Sequence, residues 1–473
     1  MQAIFDESLV FSFQEVVKEA VSEVMAGKGM PAFQQALRNG LNRICCTIQQ
    51  RVLELIDQEL RDNLPLRKGW VIVRRDPKTI LSPFGEVHYE RTLFRNKKSG
   101  QHAHLADRLV GYKPHQRLDT LLEADLLEEA VDRSYAKAGK SFETHTGIRV
   151  SGQTVLNIVR KLQPEKIELK ERIKVKKVAS ILYVEADEDH VPHREKGVSA
   201  FEQRLVYVHE GRVRVGKDRY ELIGKKYFTF PPGTASQVIW DTIWRYLEAT
   251  YDLEQTKYIF ISGDGVPWIK AGAEYIHGAH YVLDGFHLRR AIFRAAGADE
   301  EKREALFGAV LSGKKREMNR LLAAFRQETE KESRKKAISE VQTYINNQWS
   351  GIRAMRKYDR LLVGCSAEGH VSHVLSARLS SRPMGWSYLG ANQMAHLRVH
   401  RANGVNLSQV YIEQSAQRKK GFTSEHVPTA AVRQISKAVG SSCETLGNIP
   451  SLASGTKGWS PLLRRISNAV FEF

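Results

Sequence analysis

Residues 179–190 read Ala-Ser-Ile-Leu-Tyr-Val-Glu-Ala-Asp-Glu-Asp-His. A short apolar run rich in β-branched and aromatic residues predicts a buried strand. Here it runs directly into Glu185, Asp187, Glu188 and Asp189. Side chains alternate along an extended strand, so Glu185, Asp187 and Asp189 share one face while Glu188 points away. The pattern recurs twice downstream. Lys257–Ser262 (KYIFIS) leads into Gly263-Asp264-Gly265, and His280–Leu283 (HYVL) leads into Asp284-Gly285-Phe286-His287. Carboxylates held together repel one another, and a hard divalent cation relieves the repulsion. Each Asp-Gly taken singly also reads as a strand-to-helix turn with a capping aspartate. Three acid-tipped strands in one segment of a basic chain favour two-metal phosphodiester chemistry.

Outward from these strands, Arg204–Val215 and Arg219–Phe230 are expected as two further strands. A helix is expected over about 234–252, with Val238, Ile239, Ile243 and Leu247 on its apolar face. Residues 285–360 read as helical and highly charged. A fourth acid, Glu368, lies in Gly364-Cys365-Ser366-Ala367-Glu368-Gly369-His370. Ser366 is a candidate cap for a helix running to about Leu379, and a first-turn acid there is also favoured by the helix dipole alone. His370 and His373 are three apart rather than four, so they are expected to be polar or DNA-facing, not metal ligands.

Upstream, residues 1–63 read as helices and 69–98 as strands around a Ser82-Pro83-Phe84-Gly85 turn. Residues 117–163 read as helical again, with turns at Gly139 and Gly147. Ser151 is a natural cap for a last helix whose apolar face is Val155, Ile158, Val159 and Leu162. This fits a helix-turn-helix with Ser151, Thr154 and Arg160 as candidate DNA contacts, and equally an ordinary helical hairpin. Charge density then rises through Lys166, Lys170, Arg172, Lys174, Lys176 and Lys177, which marks a solvated connector and a domain boundary. The stretch 440–460 is rich in Gly and Ser and expected to be mobile, before an amphipathic piece with Leu462, Leu463, Ile466 and Val470.

The 473 residues are long enough for about three domains, and 42 % apolar with 27 % charged residues is a globular composition. A net charge of +18 favours polyanionic partners, since each neutralised phosphate releases counterions. No apolar run approaches the length of a membrane span, and the opening MQAIFDESLVFSF lacks the basic n-region of a signal peptide. Four cysteines, Cys45, Cys46, Cys365 and Cys443, are too few and irregular for a disulfide scaffold or a zinc site. Gly139-Lys140-Ser141 ends like a phosphate-binding loop, but Ser134 stands where its first glycine belongs. A soluble protein of a reducing compartment with an excess of positive charge is expected.

Four blocks in this order, ILYVEADEDHVP, YIFISGDGVPWIK, HYVLDGFHLRR and GCSAEGHVSHVLSARLSSRPMGWS, resemble the insertion-sequence transposases of the ISLre type, relatives of the Mutator-like DDE superfamily. With the earlier FGEVHYERTLFRNKKSG segment, the likeness extends to about residue 400. The resemblance implies an α/β fold: an RNase H-like catalytic core with a helical insertion, preceded by a mostly helical DNA-binding region. It implies a metal-binding catalytic triad of Asp187, Asp264 and Glu368, spaced 77 and 104 residues apart. Mg²⁺ is the expected cofactor, with Mn²⁺ able to substitute. Asp189 and Glu185 remain rivals of Asp187 on the same strand face. A DxxH signature falls on Asp284 and His287 as accessory site residues, and Trp268 is a candidate to stack on a flipped base, a buried core tryptophan being the commoner explanation.

The organisation expected is a helical region with a small β segment (1–116), a helix-turn-helix-like region (117–164) and a charged connector (165–177). The catalytic domain follows (178–400), with its insertion at about 298–360, and then a basic, partly flexible region (401–473). The implied partners are double-stranded DNA, as transposon terminal inverted repeats and target, and a second copy of the chain. The implied reaction is cleavage at transposon ends followed by strand transfer. Two other readings share these residues: a related nuclease that cuts without joining, and a non-catalytic DNA-binding regulator.

Overall fold

The computed structural model describes residues 7–164, 167, 175–217 and 219–423. They divide into two compact units, one formed by the chain up to Leu162 together with the segment from Ser408, the other by Gln163–Leu407. The division falls beside the expected connector, most of which lies outside the described residues. Also outside them are the 440–460 stretch, the amphipathic piece around Leu462 and Cys443. The cysteines Cys45, Cys46 and Cys365 are free thiols. Among the described residues, no helix is long and apolar enough to cross a membrane.

The first unit opens with two helices, α1 (Glu7–Met25) and α2 (Gly29–Asp62), and then a three-stranded antiparallel sheet: β1 (Trp70–Ser82), β2 (Gly85–Asn96) and β3 (His102–His104). Ser82 pairs with Gly85 across the expected tight turn. Ile56, Leu60, Leu66, Trp70 and Phe94 join α2 to this sheet together with Leu105 of α3 (Leu105–Val110). Three further helices follow: α4 (Thr120–Asp132), α5 (Tyr135–Thr146) and α6 (Gly152–Lys161). Each has a side-chain N-cap, from Asp119, Ser134 and Ser151. Gly147 ends α5 in the left-handed conformation, as expected, but Gly139 lies inside α5 rather than in a turn. A Cβ at Gly139 would lie 2.0 Å from the Val150 carbonyl oxygen, so this glycine permits a close crossing of α5 with the entry to α6. The last described helix, α18 (Leu407–Thr423), returns to this unit: the Tyr411 hydroxyl donates to Glu123 at 2.7 Å and the Ser408 amide to Glu128 at 3.0 Å.

The second unit is mixed α/β around a five-stranded sheet in the order β10-β9-β4-β5-β8. Strands β4 (Ile181–Val191), β5 (Phe201–His209) and β8 (Lys226–Phe230) are antiparallel. Strands β9 (Tyr258–Gly263) and β10 (Ala279–Leu283) run parallel to β4. The two long strands expected over 204–215 and 219–230 are each broken. Gly211 and Gly224, both at positive φ, redirect the chain, so β6 (Arg212–Arg214) and β7 (Tyr220–Leu222) form a separate ribbon. One sheet face is covered by α7 (Ser236–Thr250), whose Ile239, Trp240, Ile243 and Leu247 pack on Leu182, Val184 and Ile261. Two short helices, α8 (Pro267–Lys270) and α9 (Gly272–Tyr275), connect β9 to β10.

After β10 come α10 (Gly285–Ala296), α11 (Glu300–Leu311), α12 (Lys315–Gln327), α13 (Glu332–Asn347) and α14 (Trp349–Lys357), sharing a core of Leu288, Ile292, Leu306, Leu322, Val341 and Ile352. The chain then enters α15 (Ala367–Val371), a π-helical turn (Ser372–Ser376) and α16 (Ala377–Leu379), followed by α17 (Tyr388–Ala402).

Candidate active site

Strand β9 ends at Gly263, paired with Leu283 at the end of β10, so Asp264 and Asp284 leave the sheet side by side at the carboxyl ends of two parallel strands. Such strand ends are where open α/β sheets gather ligand-binding groups. Asp264 accepts from the Val266 amide at 3.0 Å, and Asp284 caps α10 by accepting from Phe286 at 3.0 Å. The turn reading of both Asp-Gly pairs is therefore correct as far as it goes. It leaves the second oxygen of Asp284 for His287, whose Nδ1 lies 2.9 Å away.

The three acids on one face of β4 have separate surroundings. Glu185 is buried among Tyr207, His209 and Ser366; His209 Nε2 lies at 3.0 Å and the Ser366 amide donates at 2.6 Å. Asp189 is buried and accepts from the Ser376 and Ser380 hydroxyls at 2.9 and 2.6 Å. Asp187, between them, accepts from its neighbour Glu188's amide at 2.8 Å. Burial, reinforced by the charges of Asp264 and Glu368, pushes the Asp187 carboxyl up to about 7; the Glu188 amide and the charge of His287 work the other way. Asp187, Asp264, Glu368 and His287 thus share one electrostatic neighbourhood, with Glu368 exposed in the first turn of α15. For His287, burial opposes the charge, but the Asp284 hydrogen bond and the charges of Asp284, Asp187 and Asp264 outweigh it and raise its pKa. Of the three rivals on β4, Asp187 is the one whose carboxyl is raised by the charges of both Asp264 and Glu368, while Glu185 hydrogen-bonds to Ser366 and Asp189 to Ser376 and Ser380.

Ser366 does not cap α15 with its side chain; its amide and hydroxyl turn to Glu185 instead. His370 is not a surface residue reaching for DNA. It lies half-buried against Tyr207 and Tyr227, with its Nδ1 2.7 Å from the Tyr227 hydroxyl, and burial lowers it to about 4. Trp268 is also corrected: it is buried in the core beside Trp240, its indole N–H donates to Glu188 at 2.9 Å, and the Arg204 guanidinium covers its ring at 4.9 Å. No face of that ring is left for a base. In the first unit, the Ser151 hydroxyl accepts from the Thr154 amide at 3.2 Å and meets the Thr154 hydroxyl at 2.9 Å, so these two residues form the cap of α6. Val155, Ile158 and Val159 are buried, while Gln153, Asn157 and Arg160 are exposed.

Residues 29–416 match the family described as "Uncharacterised protein family (UPF0236)". The chain belongs to the UPF0236 family. Two UPF0236 proteins of Caldanaerobacter subterraneus subsp. tengcongensis are similar to it. One is 32 % identical over 439 residues, covering 86 % of this chain and 92 % of the relative; the other is 33 % identical over 406 residues, covering 82 % and 85 %. A UPF0236 protein from the vanSb 3′ region of Streptococcus gallolyticus is 27 % identical over 410 residues, covering 85 % and 88 %.

Sequence reasoning missed how this UPF0236 chain braces its second acid from the charged helices. The Tyr344 hydroxyl donates to the Asp264 carbonyl at 2.7 Å, and the Gln348 amide donates to the Gly265 carbonyl at 2.8 Å. Gly265 has φ of 93°, and a Cβ there would lie 2.3 Å from the Gln348 side chain, so the turn requires glycine. Tyr344 and Gln348 stand four apart, but nothing in that spacing points 80 residues upstream. Asp264 and His287 also border an open groove lined by Arg290, Arg294, Glu340 and Tyr344.

Proposed function

We propose that this UPF0236 protein is a DNA transposase that cleaves transposon ends and transfers the strand into target DNA through Asp187, Asp264 and Glu368. The observation that carries the reading is the placement of Asp187 on β4 directly beside β9, in a register that sets Glu185 opposite Ser262 and so brings Asp187 to the end of the strand that leads into Asp264; burial, then the charges of Asp264 and Glu368, push its carboxyl up to about 7. A buried carboxylate near two like charges is costly unless it takes up a proton or a cation completes the site. The sheet supports the same reading: an antiparallel β8-β5-β4 meander extended by parallel β9 and β10, with acids at the middle of β4 and the end of β9, is the arrangement that an RNase H-like core would need. The α11–α13 helices between β10 and Glu368 correspond to its insertion. A further support comes from the relatives, since the name of one Caldanaerobacter protein joins eleven locus labels and that of another joins four. Repetition within one genome is what a mobile element leaves.

Among the described residues, no three His, Cys, Asp or Glu side chains form a ready cage for one ion. The donors fit instead a hard cation such as Mg²⁺, or Mn²⁺ in its place, held by one or two carboxylates and completed by water and phosphate oxygens. Asp187 with Asp264, and Asp187 with Glu368, would hold it. When bound, such a cation activates the attacking oxygen and stabilises the leaving one.

The chain's own residues supply position and charge. Tyr344 and Gln348 fix the Asp264 turn from behind, so that carboxylate meets substrate without reorganisation. His287, held by Asp284 and favoured in its protonated form, is a donor for a phosphate oxygen. Exposed Gln153, Asn157 and Arg160 on α6 offer the surface that a recognition helix presents to base edges and phosphates. Bringing two transposon ends together requires at least two copies of the chain.

The test is a plasmid assay with the coding region in its native flanking DNA, comparing wild type with Asp264→Asn in Mg²⁺, Mn²⁺ and chelator. Metal-dependent cuts at the terminal repeats, absent in the variant while DNA retention persists, are expected. Joined products separate the transposase from a nuclease. A folded wild type that retards the ends without cutting them overturns the catalytic reading in favour of a DNA-binding regulator.

A further inference from the structure

Asp187 sits between two buried acids that do not face it, and both reach the same partner. Glu185, two residues before Asp187, accepts the Ser366 amide at 2.6 Å and the Ser366 hydroxyl at 3.2 Å, immediately ahead of the helix that carries Glu368. Asp189, two residues after it, accepts the Ser376 and Ser380 hydroxyls at 2.9 and 2.6 Å, at the far end of that helix. Four residues of strand span about 13 Å, and ten residues of helix from 366 to 376 span about 15 Å. The helix therefore lies along β4 with a carboxylate at each end and Glu368 in the interval. The π turn at Ser372–Ser376 belongs to the same arrangement, because Arg398 donates to the His373 and Val374 carbonyls there. Extra residues of this kind inside a helix re-aim the side chains beyond them.

Resting on the proposed function, we propose that Glu185 and Asp189 are positioning residues that pin both ends of the Ala367–Leu379 helix to β4 and so set Glu368 against Asp187. Three acids in alternation on one strand then have two jobs. The central one meets substrate, and the outer two accept hydrogen bonds from the element that brings the third acid. Glu185 is itself held by Tyr207 and by His209, whose Nδ1 lies 3.2 Å from both the carbonyl and the amide of Gly211, so either tautomer finds a partner there. The clamp thus reaches from β5 through β4 to α15.

A clamp needs acceptors, whereas a cation ligand needs charge, so the amide variants separate the two. In Glu185→Gln the side-chain oxygen still accepts from Ser366, and the amide NH2 donates to His209 Nε2 once the ring takes the tautomer with its proton on Nδ1, directed at the Gly211 carbonyl. In Asp189→Asn the retained oxygen still accepts from both serines. Each is expected to keep DNA-end cleavage within about threefold of wild type, with hydrogen bonds conserved, where Asp187→Asn abolishes it. Glu185→Ala, and Ser376→Ala combined with Ser380→Ala, are expected to lower kcat about 100-fold with KM for DNA unchanged, the scale of an ångström-sized misplacement.

Hydrogen exchange of the metal-free protein provides a readout independent of cleavage. The 366–380 segment is expected to exchange faster in the alanine variants and at the wild-type rate in the amide variants, with β9 and β10 unchanged in all. Amide variants as inactive as Asp187→Asn would make the outer acids charge-bearing ligands and overturn the proposal. So would alanine variants with unaltered exchange over 366–380. If wild type cuts no DNA, the transposase reading fails while the exchange result still decides the clamp.

Discussion

His400 lies half-buried on α17 with Nε2 3.2 Å from the Pro164 carbonyl, and its Nδ1 has no hydrogen-bond partner. Burial, with the neighbouring charges of His396 and Lys226, lowers it to about 4. The folded protein therefore keeps this ring neutral where an unfolded chain, titrating near 6.5, binds a proton. Its contribution to stability is complete above about pH 6.5 and is lost as pH falls toward 4. Urea unfolding between pH 7 and pH 4 is expected to show that loss, and His400→Gln is expected to flatten it. A pH dependence identical to wild type would place the proton uptake on other groups. Single side chains of this kind are the least legible in sequence. Asp187 could be placed on a strand face from alternation alone, but its distinction from Glu185 and Asp189 rests on partners about 180 residues away. Trp268 beside Asp264 invited a surface role because sequence distance was short, and its burial against Trp240 and Glu188 is set by the fold.

At the level of elements, apolar runs that stop at an acid gave β4, β9 and β10 correctly, because burial on both faces leaves a continuous signal. The same reading joined β5 to β6 and β7 to β8, since apolar and aromatic residues continue past Gly211 and Gly224 while the ladder changes partners. Glu368 stands out in the sequence as a fourth acid, but its place beside Asp187 and Asp264 comes only from the family resemblance; its helix is too short and too interrupted by the π turn for a clean period. The brace from α13 to the second acid is a testable element-scale property. Tyr344→Phe removes the donor to the Asp264 carbonyl and is expected to slow cleavage by up to about tenfold, the worth of one such bond, without changing DNA retention. Unchanged cleavage would remove the insertion from the catalytic arrangement. On α6, Arg160→Ala is expected to weaken binding to terminal DNA and to reduce the salt slope by about one counterion. Equal binding and slope in variant and wild type would direct attention away from this helix.

Across the whole molecule, the unit that holds the 117–164 helices is completed by a segment from the other side of the chain. Helix α18 supplies Tyr411, fully buried, with its hydroxyl on Glu123, and Arg418, which donates to the Lys161 carbonyl at 2.8 Å at the end of α6. A fragment of residues 1–164 is expected to melt at lower temperature and retain DNA more weakly than the same fragment linked to 405–423. Equal melting and retention would show that α18 is dispensable to that unit.

The chain leaves the first unit at Leu162 and returns to it at Ser408, and the interval has a duration. Synthesis at about 5–20 residues per second takes about 12–50 s to traverse residues 163–407. Throughout that period the acidic site is being completed while α4 and α6 still wait for their last partner. If the proposed function holds, the order of birth is the reverse of the order of use: the acids of Gln163–Leu407 are assembled first, and the helices that would meet DNA are secured only when α18 arrives.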